Sequence, residues 1–509
     1  MERGSRRRAF RMSSALLYQW MFLRLSKRFT LPFLAAAAVL LGVAFPAVAR
    51  RVDEALPPLL AALAVLAFLA IAIVAALWVA TAVYRLAPPR PAAWFAAAVP
   101  AIGAGPATAT ALGRYDRIGI ILAGGGAKGA YQAGSLAALH GFLERRGALG
   151  NVRMVAATSV GAWNACFWLA DMVSEESGSP LERWWSELRL SEVVAPTFYF
   201  PAARNFVLSA DPWRHSFRKL FAEHLRSRQR LETLMRDPDR LRFYLTRTNV
   251  ERGHLEFSTN RRDMVDVDNY TGTRRPLEPP DRWTRTETLD DLEQAVFASM
   301  DLPPLFEHVR IGDETFEDGG VVDNVPIYFG TGIEKCDLLF VLLLNASFAS
   351  GVGRRWILQR MQRVLTIRQG ALERRALKDV YLYNELAALR GRLDAAGRAA
   401  GPAPGGYPRS IETPAGSEAA FDEAASRSLE ERAAGRVHRP VQVFAVCPDE
   451  PLGIDTLEFW KTREAGRAFR LMREHTRYEL ERFDFTAEPN WIRVALVGPS
   501  GEVRYLEDF

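Results

Sequence analysis

Two short stretches of this chain combine residue types that carry out nucleophilic chemistry when they are brought together. In "VRMVAATSVGAWNA" (Val152 to Ala165), Ser159 stands where a strand-like apolar run gives way to a helix-like one. A sharp turn at such a junction lifts the serine hydroxyl above the sheet at a helix N-terminus, and a small residue such as Gly161 lets helix and strand approach closely. In "FEDGGVVDNVP", Asp318 ends another strand-like run, and Gly319 and Gly320 permit a tight turn after it. An acid placed there is a candidate base. Taken singly, each stretch has an ordinary reading: a helix N-cap for the serine and a plain turn for Asp-Gly-Gly.

A third stretch, "IGIILAGGGAKGAYQAG" from Ile118 to Gly134, contains a literal G-x-G-x-x-G at Gly124, Gly126 and Gly129. A dinucleotide site needs an acid at the end of the second strand to hold the ribose hydroxyls. Glu144 has about that spacing but falls inside the helical segment "YQAGSLAALHGFLERR", and the second strand ends instead in Thr158 and Ser159. Nor is this a phosphate-binding P-loop, because Lys128 is followed by Gly129 and the spacing is wrong. No nucleotide is therefore expected. The negative charge such a loop suits is a transient one: an oxyanion developing beside Ser159, met by backbone N–H groups at a helix start.

Read together, "GGGAKGAYQAG", "TSVGAWNA", "ASMDLPPLFEHV" and "EDGGVVDNVP" resemble the patatin-like phospholipase family, in that family's order and at plausible separations. The resemblance runs from about Arg117 to Leu344, with a weaker echo in "VQVFAVCPDEPLGIDTLEFW". It implies a three-layer α/β/α domain with a mostly parallel sheet and a Ser–Asp dyad that uses no histidine. Ser159 is then the nucleophile, Asp318 the base, and the amides of Gly124, Gly125 and Gly126 the oxyanion hole. Lys128 stands where the family usually carries a basic residue, and Gly129, Gly161, Gly319 and Gly320 complete the motifs. Ala157 departs from the pattern, standing where the first glycine of the serine turn usually is. The implied activity is hydrolysis of fatty acyl esters in lipids, of phospholipase or lysophospholipase type, through an acyl-enzyme and without a cofactor. The alternative is a catalytically weak patatin-like membrane scaffold or lipid-binding module, which Ala157 supports.

The elements that must position these residues follow a βαβα rhythm from Arg117 onward. "IGIILA", "VRMVAAT", "LRFYLTRTNV", "HLEFSTN", "LLFVLLLNAS" and "VQVFAV" read as strands, "LLFVLLLNAS" apolar enough to be fully buried. Helices are expected over Ala130 to Arg146, over Ala162 to Met172, in "DLEQAVFASMDLP" up to Pro303, and near Arg463 to Arg482. A long amphipathic helix is expected from about Arg355 to Arg392; its basic flank suits anionic headgroups, and packing on the sheet is the alternative. The aromatic and basic stretch from Trp184 to Phe221 reads either as an acyl-chain entrance or lid, or as core. A catalytic domain over 117–347 is expected, then an extension over 348–509. That extension holds a loop at 401–436, low in large apolar residues and expected to be mobile, and a strand, helix and closing hairpin "IRVALVGPSGEVRYL" that complete the domain.

The first part of the chain differs. After a basic segment (1–28), two charge-free runs, Arg28 to Arg50 and Glu54 to Arg85, are each long enough to span a hydrocarbon layer roughly 30 Å thick. A linker over 86–116 follows. Arg3, Arg6, Arg7, Arg8, Arg11, Arg24, Lys27 and Arg28 precede the first run against the single acid Glu2, so the positive-inside rule predicts a transmembrane hairpin over 29–85. Both ends, and the catalytic domain, then lie on the cytoplasmic side, with the lipid bilayer as partner and source of substrate. "AVA" at Ala47 to Ala49 offers the rival reading of a cleaved signal. The net charge of +6 over 509 residues is small and gathered at the N-terminus, so no nucleic-acid partner is expected. Three scattered cysteines, Cys166, Cys336 and Cys447, make neither a disulfide framework nor a metal cluster. No His/Cys/acid cluster with metal-ligand spacing is present, so no metal is expected.

Overall fold

The structure is a computed structural model. It describes residues 112–196, 208–262, 264–267, 274–277, 283–303, 305–345, 357–399, 440–449, 452–485, 492–498 and 503–505, with residue 36 and short helical stretches between 65 and 76. The basic segment, most of the expected membrane hairpin, the linker up to residue 111 and the loop 401–436 lie outside the described residues. Among the described residues, no helix is long and apolar enough to cross a membrane.

Among the described residues, eleven strands form one sheet. They are β1 (Ile118–Leu122), β2 (Val152–Thr158), β3 (Arg242–Asn249), β4 (His254–Thr259), β5 (Trp283–Arg285), β6 (Val309–Ile311), β7 (Glu314–Asp318), β8 (Leu338–Leu342), β9 (Gln442–Pro448), β10 (Ile492–Val497) and β11 (Val503–Tyr505). Along the sheet the order is β6-β7-β3-β2-β1-β8-β9-β10-β11, with β4 beside β3 and β5 beside β4. The run from β3 through β2, β1, β8 and β9 to β10 is parallel throughout. Burial on both faces explains why these strands are apolar without alternation: every residue of β1 and β8 is buried. The antiparallel pairs, among them β6 with β7 and β10 with β11, lie toward the two ends.

Successive side chains of each strand go to opposite faces, and the two faces bury separate clusters. On one face Ile118, Ile120, Leu122, Val155, Ala157 and Phe340 pack with helices α1 (Gly129–Arg145), α2 (Val160–Leu169), α6 (Leu289–Met300) and α8 (Thr462–Arg482). Three more helices, α3 (Pro180–Glu187), α4 (Asp211–Glu223) and α5 (Leu225–Arg236), add Trp185, Trp213, Phe217 and Leu231 to the same cluster. On the other face Ile121, Met154, Ala156, Leu339 and Val341 pack with Leu377 and Val380 of α7 (Ile357–Ala399). The domain is therefore a three-layer α/β/α sandwich. Helix α1 is buried nearly all round because it runs between the sheet and α8; a Cβ on Gly134 would fall 2.0 Å from the Phe469 carbonyl oxygen.

The structure departs from sequence expectation in three places. Helix α2 starts at Val160, directly after Ser159, and ends at Leu169. Helix α6 ends at Met300, not at Pro303, with Asp301 as its C-cap. Past residue 347 the sheet continues without a break, β9 pairing with β8 in parallel and handing on to β10 and β11. Helix α7 is longer than expected and presents Gly370, Glu373, Leu377, Val380 and Asn384 inward, while Val364, Ile367, Leu382, Leu386 and Leu389 are exposed. In the described part of the aromatic stretch Trp185, Trp213, Phe217 and Phe221 are buried, and Trp163 meets Trp213 at 5.3 Å between ring centroids; Trp213 also lines a pocket with Ser159. Phe198, Tyr199, Phe200 and Phe206 lie outside the described residues.

Candidate active site

The site gathers at the ends of β1, β2 and β7. Ser159 sits between the last residue of β2 and the first of α2 with φ 56° and ψ −131°. Such backbone is disfavoured for a residue with a Cβ and costs on the order of 1–3 kcal/mol. Several contacts hold it there. The Ser159 amide donates to the Ser299 hydroxyl at 2.8 Å, and its carbonyl accepts from Ala162 N–H at 2.8 Å. Thr158 and Thr246 share a hydrogen bond of 2.7 Å beneath it. Gly161 allows the close approach anticipated from the sequence, for a Cβ there would lie 2.4 Å from the Leu122 carbonyl oxygen. Although Ser159 occupies an N-cap position, its hydroxyl makes no capping hydrogen bond. It shares one pocket with the Asp318 carboxyl, whose ionised form it favours.

Asp318 is the last residue of β7, paired antiparallel with Arg247 of β3. Its amide donates to the Asp301 carbonyl at 2.8 Å, and its carbonyl accepts from the Thr248 hydroxyl at 2.9 Å. The carboxyl itself accepts from Gly320 N–H at 2.7 Å. Gly319 fits where a Cβ would strike the Thr246 hydroxyl at 2.4 Å, so this turn tolerates no side chain. Burial pushes the Asp318 carboxyl up to about 6; the Ser159 and Gly320 hydrogen bonds hold it down, and neighbouring Glu317 pushes it up.

The glycine loop closes the third side. After β1, Ala123 N–H donates to the Leu342 carbonyl at 3.1 Å, and Gly124 N–H donates to the Asn324 carbonyl at 3.3 Å. Of the three amides expected to form an oxyanion hole, that of Gly124 thus already has a partner, supplied by a residue far along the chain. Gly125 and Gly126 line the same pocket as Ser159 and Asp318, and neither amide makes a hydrogen bond among the described residues. Gly126 has φ +60°, and a Cβ there would fall 2.2 Å from the Thr456 carbonyl oxygen, which also accepts from Ala127 N–H at 2.7 Å. Only glycine fits that position.

Lys128 is buried and does not line the pocket; its ammonium donates to the Asn345 side chain. Gly129 packs where a Cβ would meet Val160 at 2.5 Å, fixing α1 against α2. Gly320 is similarly constrained by the Asn324 side-chain oxygen, 2.8 Å from where its Cβ would be. The pocket walls are apolar: Trp213, Met300, Leu302, Phe306 and Phe459 among them. No histidine lines the pocket among the described residues; His308, the nearest in sequence to Asp318, pairs with Glu317 at 3.3 Å. No group of three or more His, Cys, Asp or Glu able to hold a metal occurs among the described residues.

A strained serine in one pocket with a buried carboxyl, beside two unengaged glycine amides, lies inside a segment that matches a known family. Residues 120–329 match the family model described as patatin-like phospholipase. The chain carries a patatin-like phospholipase domain. The described sheet extends that domain at its C-terminal side through β8 to β11, beyond the matched residues. Among solved structures, VipD from Legionella pneumophila is similar at a TM-score of 0.29 and 14% identity, over 72% of this chain and 67% of that chain. No curated protein matches the chain. Ser159, Gly161, Gly319 and Gly320 all lie within the matched residues. Asn324, Asn345, Glu373, Ser299 and Thr456 were not singled out from the sequence. Asn324 and Ser299 stand inside the quoted motifs, whereas Glu373 sits in "LERRALKD", where it reads as one more charge on a solvated helix face.

Proposed function

We propose that the protein is a lipid acyl hydrolase in which Ser159 and Asp318 act as a dyad. The observation that carries this is Ser159 itself: a non-glycine residue at φ 56°, its hydroxyl making no cap to the helix it begins, in the pocket that Asp318 also lines. Strain of this kind persists only where the surroundings enforce it, and it gathers at reacting groups. Asp318 takes the hydroxyl proton as Ser159 Oγ adds to the acyl carbonyl carbon. The resulting oxyanion rests on the Gly125 and Gly126 amides, aided by the N-terminal dipole of α1. Collapse breaks the ester bond, the departing alcohol takes the proton from Asp318, and an acyl-enzyme remains. Asp318 then removes a proton from water, whose oxygen attacks the acyl carbon; fatty acid leaves and Ser159 regains its proton. No step calls for a metal or organic cofactor. The apolar walls suit an acyl chain, and the two charge-free runs in the first ninety residues support attachment to the bilayer that supplies the lipid.

A fluorophosphonate probe and a short-chain ester test the reading. The full chain should label at Ser159 and hydrolyse the ester. Ser159→Ala and Asp318→Asn should each lower hydrolysis by on the order of 10⁴-fold, without adding, because both disable one step. A folded chain that neither labels nor hydrolyses would leave the lipid-binding scaffold as the function. A folded single histidine variant as inactive as Ser159→Ala would replace the dyad with a triad.

A further inference from the structure

A carboxyl group from outside the family-matched residues lies beneath the glycine loop. Glu373, on α7, is 3% exposed. Its Oε1 accepts from the Asn324 side-chain amide at 3.0 Å and from the Asn345 side-chain amide at 2.7 Å. Asn324 holds Gly124 from two directions: its Nδ2 donates to the Gly124 carbonyl at 3.2 Å, and its backbone carbonyl accepts from Gly124 N–H at 3.3 Å. The side-chain oxygen of Asn345 accepts from the Lys128 ammonium. Each asparagine amide is thereby fixed in orientation, with its nitrogen toward Glu373.

The two asparagines fasten Gly124 and Lys128, the residues on either side of Gly125, Gly126 and Ala127. A single carboxylate oxygen thus governs both ends of the segment whose free amides face Ser159. We infer that Glu373 is a positioning residue for hydrolysis: through Asn324 and Asn345 it sets where the Gly125 and Gly126 amides stand relative to the developing oxyanion. This rests on the hydrolase reading above. Position matters because oxyanion donors act only over hydrogen-bond distances and a shift of about 1 Å costs on the order of 10²-fold in rate. A buried network of this kind is also stiff, since removing one member leaves its partners unsatisfied. Helix α7 touches the opposite wall as well, where the Arg368 guanidinium donates to the Val321 carbonyl just after the Asp-Gly-Gly turn. The rival role for Glu373 is a countercharge for buried Lys128 and nothing more.

The test uses Glu373→Ala, Glu373→Gln and Asn345→Ala in the full chain, with kcat and KM on a short-chain p-nitrophenyl ester. Hydrogen exchange at the Gly124, Ala127 and Lys128 amides is the second readout. Glu373→Ala should lower kcat by on the order of 10²-fold with KM held within about threefold, and quicken exchange at those amides. Glu373→Gln keeps an oxygen that accepts from both asparagines, and should recover kcat to within about tenfold of the parent. Where Glu373→Ala does not fold, Asn345→Ala carries the test with the same split and the same quickened exchange. The inference is overturned if a folded Glu373→Ala, or in its place a folded Asn345→Ala, leaves both kcat and loop exchange unchanged. It is overturned equally if Gln is as damaging as Ala while exchange stays the same, because the charge would then be all that matters. A parent chain without hydrolysis, whose loop exchange Glu373→Ala still quickens, would remove the hydrolase reading and leave the fastening of the loop intact.

Discussion

Burial raises the Asp318 carboxyl to about 6, and a base works only when ionised. Hydrolysis of a soluble ester should therefore lose activity as pH falls through about 6, with kcat/KM dropping about tenfold per unit below it. The limb should persist in Glu373→Gln; a limb that instead vanishes with a histidine would move the base elsewhere. Gly126→Ala should cost on the order of 10²-fold or more in kcat, because its Cβ would strike the Thr456 carbonyl at 2.2 Å and displace a free amide. Labelling kinetics with the phosphonate probe read this directly. At this scale Ser159 and Asp318 were legible because the glycines around them record turn and close-contact requirements in the sequence itself. The engagement of Gly124 was not: its partner is Asn324, and no local pattern reveals which carbonyl a distant residue will offer.

Strands and helices were legible where apolar continuity or period is strong, as in β1 and β8, which are apolar and buried throughout, and in β2, where Arg153 alone is exposed. Helix α7 was located, but its inward face was not, because Glu373 and Asn384 occupy buried positions that periodicity assigns to apolar residues. Both are satisfied by partners far away in sequence. Asn384 accepts from Val441 N–H at 2.9 Å and donates to the Val441 carbonyl at 2.7 Å, as a strand neighbour would. Asn384→Ala should lower stability by about 1–3 kcal/mol, measured by urea unfolding, through two unpaired backbone groups at the entry to β9. By contrast Gly161→Val should impair both folding and labelling of Ser159, since a Cβ there sits 2.4 Å from the Leu122 carbonyl and drives α2 off β1. Full labelling of that variant would separate the serine turn from the packing described for it.

Across the whole molecule, burial raises Asp301 to about 8, Glu373 to about 7, and Asp318 and Asp323 to about 6. A folded-state value above the unfolded one means the native chain holds protons that the unfolded chain has released. Stability is then lost as pH rises from the ordinary carboxyl range of about 4 through about 8. Burial also lowers half-buried His140 and buried His475, which act oppositely but at the acidic end of that window. The urea midpoint should therefore fall between about pH 6.5 and about pH 8.5, and a rise would contradict the buried protons. The strands past residue 329 could be read from the sequence, but not which neighbour each would take, because parallel pairing is indifferent to separation along the chain: β9 joins β8 across the whole of α7 and the residues that follow it. The Thr456 carbonyl that closes the glycine loop comes from beyond all of these. During synthesis at about 5–20 residues per second, Ser159 and Asp318 emerge well before Thr456, roughly fifteen seconds to a minute in the case of the serine. Until then the loop lacks its last tie. A nascent or prematurely ended chain would carry the reactive pair without the finished cradle beside it, so a hydrolase of this design would stay harmless to surrounding lipid until nearly all of it has been made.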